Sequence, residues 1–399
     1  MLSRIGCDGG PRRKQGALWV KDAGSGGLML PQTGCDGSPE GGSMNCKEAG
    51  NGYGAMSQTD SRADKRKERL MFFKCKNCGG NVVYSPERHG MYCPFCESEE
   101  SGERAEGVTD ALTVCPNCGG EVPVQEHTSA AQCPYCDSYL IFNERVEGRY
   151  APRVIIPFQL GKESCKKFLR GKFKRCLFAP TDFLSEVRLN SMEGIYVPYW
   201  FYDYDTGCYF QGEGTKVRVW RSQNMEYTET SVYAISRSMD IRFEKMPVDA
   251  SERMPDDVMD LIAPFNYGQM VDFRPEFMSG FNGEKYNMTS DAVENRARAL
   301  MQEDAAKLLR ESYAGYNTVR TVKQDILVKN SSAAYGLLPV WKYIYRYKDQ
   351  DYPFYVNGQT GKIVGTAPFS GKKFMVYVGT LWACLTVTLA LLQIILGLL

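Results

Sequence analysis

Four Cys-x-x-Cys pairs in a repeated frame constrain this chain of 399 residues more than any other feature. The first copy reads Cys75-Lys-Asn-Cys78-Gly-Gly, then Cys93-Pro-Phe-Cys96. The second reads Cys115-Pro-Asn-Cys118-Gly-Gly, then Cys133-Pro-Tyr-Cys136, at an offset of 40 residues. A Cys-x-x-Cys turn brings two sulfurs to one point, and two such turns complete a tetrahedral site. Glycine after the second cysteine permits a positive-φ turn that aims backbone N–H groups at sulfur. The 14 residues between the pairs of each copy leave room for a short β-hairpin. It is expected over 81–84 with 91–92 in the first copy, and over 121–125 with 130–132 in the second. The pattern predicts two zinc ions. One is held by Cys75, Cys78, Cys93 and Cys96, the other by Cys115, Cys118, Cys133 and Cys136. Sequential pairing closes shorter loops than a cross-brace does, so the two ribbons are expected to be separate modules. Four thiolates fill each coordination shell, which makes the sites structural rather than catalytic. Disulfides or one redox dithiol are the competing readings. The doubled spacing weighs against both, as does the absence of a visible signal peptide.

The rest of the chain divides by composition. Residues 1–70 are rich in Gly, Ser and charge and cannot bury enough apolar surface to offset ordering entropy. They are read as a disordered extension, with Met56 or Met71 as alternative natural starts. Cys7, Cys35 and Cys46 there lack paired spacing. Ribbons are expected over 71–100 and 113–145, joined by an acidic linker over 101–112. Residues 150–370 read as an α+β domain with an antiparallel sheet. Its strands are expected at 153–158, 195–202, 216–220, 231–235, 239–243 and 340–347, with a hairpin meander at 354–356 and 362–364. A helix is expected over 291–313. Asp291 and Glu294 cap it, Val293, Leu300, Met301, Leu308 and Leu309 form its apolar face, and Gly315 ends it. Residues 374–399 carry no charged side chain. They exceed the ~20 residues a bilayer-spanning helix needs. Lys372 and Lys373 precede them, and positive flanks stay inside. The expectation is a single-pass protein of the cell membrane, in contact with lipid, with its soluble domains in the cytoplasm.

Composition also limits function. Net charge is +1, so no global basic field points to nucleic acid. The two histidines, His89 and His127, support no His-Glu-x-x-His motif and no nucleophilic triad. Gly161-Lys, Gly361-Lys and Gly371-Lys lack the frame of a phosphate loop. The chain is not expected to be an enzyme. One basic stretch, Lys162, Lys166, Lys167, Arg170, Lys172, Lys174 and Arg175, reads as an amphipathic helix with Phe168, Leu169 and Phe173 partly buried. A solvated face is preferred there to lipid or phosphate contact. Tyr343, Tyr345 and Tyr347 alternate with Lys342, Arg346 and Lys348. A half-buried strand is preferred to a stacking platform for single-stranded nucleic acid.

Several motifs then recur in a fixed order: the doubled Cys-Pro-Asn-Cys-Gly frame, Ile155-Ile-Pro-Phe158, Gly194-Ile-Tyr-Val-Pro-Tyr-Trp200, Leu338-Pro-Val-Trp341 and Asn357-Gly-Gln-Thr-Gly361-Lys362. From about residue 71 to the end, the chain resembles bacterial TFIIB-type zinc-ribbon membrane proteins, sometimes named by analogy to the primosomal helicase. The resemblance implies a zinc-ribbon head, an α+β body and a C-terminal span, with the eight cysteines as ligands. The helicase-like name implies nucleic-acid work, which the missing phosphate loop does not support. The leading expectation is a membrane-anchored scaffold that binds a protein partner. The alternative is a membrane-tethered nucleic-acid-binding module, disfavoured by charge.

Overall fold

The computed structural model describes residues 19–22, 68–99, 102–109 and 114–398. Two strands of 30 residues, Glu193–Ser222 and Thr318–Tyr347, run antiparallel through its centre. A third, Met225–Asp249, returns from the first through Gln223-Asn224, whose φ angles of 49° and 78° fit a type I′ hairpin. The sequence reading found only pieces of these strands and left out the stretch of the first that holds Gly207, Gly212 and Gly214. In the sheet they are points of close approach. A Cβ at Gly212 would lie 2.5 Å from the Arg320 carbonyl oxygen, and one at Gly214 would lie 2.5 Å from Ile235. Pro198 also lies inside a strand. It sits where pairing on one side passes from Met225–Asp249 to Asn282–Glu284, so its missing N–H breaks no regular ladder.

The body is a mixed sheet rather than the antiparallel one expected. Val154–Ile155 pairs parallel to 336–337, and Asn282–Glu284 pairs parallel to 195–196. Long crossovers, each carrying helical turns, make parallel neighbours possible. Alternation along Glu193–Ser222 feeds two cores. Ile195, Val197, Tyr199 and Phe201 meet Met259 and Ile262 of the helix Asp256–Ile262. On the other face, Tyr196 joins Phe158, Phe281 and Trp341, with Leu169 and Phe173 of the helix Lys162–Phe173.

The helix Ser290–Glu311 covers the middle of the long strands through Val293, Ala297, Met301, Ala305 and Leu309. Leu300 and Leu308 lie at the margins of this stripe. Its ends differ from expectation. Thr289 takes the N-cap position, and Glu294 pairs with Arg298 at 2.7 Å instead of closing a capping box. Ser312 ends the helix, its N–H reaching the Leu308 and Leu309 carbonyls, so Gly315 has no capping part. Past Tyr313 and Tyr316 the hairpin of 215–222 with 225–232 projects uncovered, because the strand Thr318–Tyr347 starts only opposite Thr215. Residues 215–222 alone extend about 25 Å at ~3.4 Å per residue.

Two stretches read as unstructured enter the sheet. Glu103–Thr109, taken as linker, pairs antiparallel with Glu68–Lys74, and its charges suit an edge strand. Trp19–Asp22 pairs with 239–242. The lead strand starts at Glu68, ahead of Met71. The remaining residues of 1–67, with Cys7, Cys35 and Cys46, lie outside the described residues.

The chain ends in the helix Gly371–Leu398. Its stretch Gly371–Leu396 is long and apolar enough to cross a membrane, and an 18-residue window within it has a mean hydropathy of 2.0 with no buried residue.

Candidate metal centres

The eight cysteines come together as two clusters, and each holds its four sulfurs within 4.8 Å of one another. In the first, Cys75 lies 3.6 Å from Cys96 and Cys78 lies 3.5 Å from Cys93, sulfur to sulfur. In the second, Cys115 and Cys136 are 3.7 Å apart, as are Cys118 and Cys133. A disulfide needs about 2.05 Å. Tetrahedral zinc with Zn–S bonds of about 2.3 Å puts its sulfurs about 3.8 Å apart. The observed edges fit zinc and exclude disulfides.

The local fold repeats four times. Each Cys-x-x-Cys turn is closed by a bond from the residue after its second cysteine to the carbonyl of its first, as from Gly79 to Cys75 at 2.8 Å. The closing residue is left-handed in every turn: Gly79 at φ 71°, Glu97 at 60°, Gly119 at 72° and Asp137 at 56°. The second glycine has another task. A Cβ on Gly80 would lie 2.6 Å from the Phe95 ring, and one on Gly120 would lie 2.4 Å from the Tyr135 ring. Each aromatic residue between paired cysteines therefore lies over the glycine of the opposite turn.

Side chains beyond the cysteines support the sulfurs. Ser98 lies 3.2 Å from Cys75 and 3.3 Å from Cys96. Ser138 lies 3.3 Å from Cys136, and the Asn117 amide donates to the same sulfur at 3.3 Å. The Ser98 hydroxyl is the main reason the Cys96 thiol falls to about 6. Burial pushes Cys136 up, yet Ser138 and Asn117 outweigh it and bring that thiol to about 6. One ligand in each site thus ionises readily at neutral pH. Burial pushes Cys115 up to about 12, so metal binding itself must drive that proton off. These supports escaped the sequence reading. The signal was there: Cys96-Glu-Ser98 and Cys136-Asp-Ser138 are equivalent in the repeat.

The ribbons are not separate modules. The lead strand Glu68–Lys74 pairs with Tyr139–Phe142 of the second ribbon. Asn81 of the first ribbon donates to the Cys136 carbonyl at 2.8 Å and accepts from Ser138 at 2.9 Å. The first ribbon forms the hairpin Val83–Ser85 with Gly90–Tyr92. The second has only Thr128–Gln132, flanked by an isolated bridge between Val114 and Glu121. Pro123 in Glu121-Val-Pro-Val-Gln125 removes the N–H a paired strand needs there.

Other flagged residues serve structure. Neither His89 nor His127 joins a sulfur cluster. Lys166 is buried and donates to Glu163 at 2.6 Å, Glu186 at 2.7 Å and Asn190 at 2.6 Å. Leu169 and Phe173 are fully packed, while Phe168 stays exposed. Tyr343 and Tyr345 are buried, their hydroxyls donating to the Phe183 carbonyl and to Asp182. The half-buried strand is what forms, and those rings are not available for stacking on bases. Asn357 donates to the Ile262 and Pro264 carbonyls and accepts from the backbone N–H groups of Gln359 and Thr360. Lys362 reaches the Ala263 carbonyl. The Asn-Gly-Gln-Thr-Gly-Lys motif therefore clamps the loop at 262–264 and cradles no phosphate.

Comparison with known proteins agrees with the site. A family model described as the A2L zinc ribbon domain matches residues 73–101, so the zinc-ribbon expectation stands, under a designation other than TFIIB-type. The second four-cysteine cluster repeats that site outside the matched span. No solved structure matches the chain. Over 313 residues, covering 76% of this chain and 92% of its relative, the sequence is 35% identical to one described as "Uncharacterized protein YdjG" from Bacillus subtilis (strain 168), and the chain belongs to that protein's family.

Proposed function

We propose that this chain is a membrane-anchored scaffold of the TFIIB-type zinc-ribbon kind, which binds a protein partner and performs no catalysis. Zinc would hold the ribbons rigid against the body. The helix Gly371–Leu398 would anchor the chain, with the soluble part in the cytoplasm, where thiolates stay reduced. The observation that carries the reading is the projecting two-stranded arm of 215–222 with 225–232. It exposes Trp220, Met225 and Tyr227 on one face and Val217, Val219 and Val232 on the other. Apolar surface of this extent, set among polar residues, is characteristic of a protein-binding face. Nucleic acid is the weaker reading, because cations on the arm and at its base are matched by anions. Arg221 pairs with Glu226 at 2.8 Å and Arg320 with Glu213 at 3.5 Å.

A photo-crosslinking side chain at Tyr227 of the full chain tests this in cells. A discrete protein adduct, lost when Trp220→Asp is added, supports the scaffold reading. Sub-micromolar binding of single- or double-stranded DNA or RNA by the purified chain, falling steeply with salt, overturns it. Membrane-impermeant thiol labelling of intact cells tests orientation, and reaction of the ribbon cysteines from outside would refute a cytoplasmic head.

A further inference from the structure

The basic helix Lys162–Phe173 and the loop after it lead directly to the root of the apolar helix. The chain turns back after the helix through bonds from Cys176 N–H to Phe173 and from Ala179 N–H to Cys176. The Phe178 carbonyl then accepts the Ser370 N–H at 2.7 Å. The Phe178 ring packs edge-on against Phe374 and Tyr377, at 5.4 and 5.5 Å, and lies 5.9 Å from Phe369. Segment 174–178 is thus fastened to the first turns of Gly371–Leu398.

The cations divide into two groups. Lys162, Lys166, Arg170 and Lys172 are bound to protein acceptors: the Asn190 carbonyl, the Glu163–Glu186–Asn190 set, Glu186 and the Ile363 carbonyl. Lys167, Lys174, Arg175 and Lys372 are exposed and Lys373 half-buried, and their side chains have no ion-pair partner among the described residues. Leu177 is 65% exposed beside them, and Phe369 is 58% exposed. Free cations and bare apolar side chains at the root of a membrane helix match one environment, the headgroup region of a bilayer. There phosphates take the charge, and Leu177 and Phe369 enter the acyl boundary.

We propose that Lys174 and Arg175, with Lys372 and Lys373, form a binding site for anionic phospholipid headgroups, seated against the helix root by Phe178. The proposal rests on the reading of Gly371–Leu398 as a membrane span. It assigns the free end of the basic stretch to lipid and its buried half to folding. A lysine or arginine near an anionic surface strengthens binding roughly fivefold.

The test titrates the full chain, purified in detergent, with phosphatidylglycerol or phosphatidylcholine and counts retained lipids by native mass spectrometry. The expected result is at least a fivefold preference for phosphatidylglycerol. Lys174→Gln with Arg175→Gln should abolish it, Lys174→Arg with Arg175→Lys should keep it, and Arg218→Gln with Arg221→Gln on the distant arm should leave it unchanged. Equal retention of the two lipids by the parent chain, or a preference untouched by the double Gln variant, overturns the site. Carbonate extraction from phosphatidylcholine vesicles tests the span separately. A chain that washes off refutes the span and the site together, and one that stays but shows no lipid preference refutes the site alone.

Discussion

The two ribbons are near copies in sequence, yet they stand in different relations to the rest of the molecule. The first is built into the body. Met71, Phe73, Cys75, Val82, Tyr84, Met91 and Cys93 belong to the same core as Phe277, Met278 and Phe281. The second has a small core of its own, where Cys115, Val122 and Cys133 meet Leu70, Phe72, Leu140 and Phe142. The period-2 alternation of one strand makes the division. Along Glu68–Lys74, Met71 and Phe73 face the body, while Leu70 and Phe72 face the second ribbon. Tyr139–Phe142 repeats it, with Ile141 on one side and Leu140 and Phe142 on the other. Equal metal sites can therefore carry unequal shares of stability, because what matters is which core the ligand backbone belongs to.

Removing one ligand from each ribbon should give the largest contrast. Structural zinc in such sites contributes on the order of 10 kcal/mol, comparable with the whole stability of many domains. Cys93→Ser should lose its zinc and open the body as well, seen as faster amide exchange in 193–201 and 335–345. Cys133→Ser should lose one zinc, melt 114–127 and leave exchange in 193–201 and 335–345 close to that of the parent, since that ribbon meets the body sheet only at its edge, where Thr128–Gln132 pairs with Asn282–Glu284. Zinc stoichiometry and hydrogen exchange measured on the same samples decide it. Equal protection of the body in the two variants would break the comparison.

Smaller effects sharpen it. Ser279 ties the first ribbon to the body. Its hydroxyl donates to the Val82 carbonyl at 2.6 Å, and its own carbonyl accepts the Tyr84 N–H at 2.7 Å. Ser279→Ala should cost about 1–2 kcal/mol. The loss should appear as local opening at 82–84, with zinc in the second ribbon unaffected. Asn81 joins ribbon to ribbon, and Asn81→Ala should cost about 1 kcal/mol. A double-mutant cycle with Ser138→Ala should give a coupling of at least about 0.5 kcal/mol. Strict additivity would mean that the clamp carries no energy. The smallest effect is expected at Gly80→Ala and Gly120→Ala. Phe95 and Tyr135 lie over these positions but are exposed enough to swing aside. Each should cost about 0.5 kcal/mol, and to the same degree, because this contact is the part of the ribbons that is truly repeated. Denaturant midpoints of the two variants should agree, and a large gap between them would show that the ribbons differ even at the metal turns.

The metal turns were legible because their chemistry is local. Four sulfurs, a left-handed glycine and a hairpin loop act within some 20 residues, and spacing encodes all three. The helix Ser290–Glu311 and the apolar helix Gly371–Leu398 were legible for the same reason, since each shows its pattern along its own length. Strand extent was not. Whether Gly212 breaks a strand or admits a neighbour depends on Arg320, more than 100 residues away. The acidic residues 103–109 have the composition of a linker, and only the exposed edge of Glu68–Lys74 makes them a strand.

By itself the sequence determined two zinc sites, their eight ligands, a β-rich body and a charge-free terminal helix. Tertiary structure alone decided that Lys166 is buried while Lys174 and Arg175 are exposed. All three stand in one basic run, but Glu186 and Asn190 pack against only the first part of it. It also decided that the metal turns of one ribbon share the body core while those of its twin pack in a core of their own. The cysteine frame is the same in both, so it cannot encode the difference. That lies in which face of a shared strand meets Phe277, Met278 and Phe281, a long-range contact that no local spacing records.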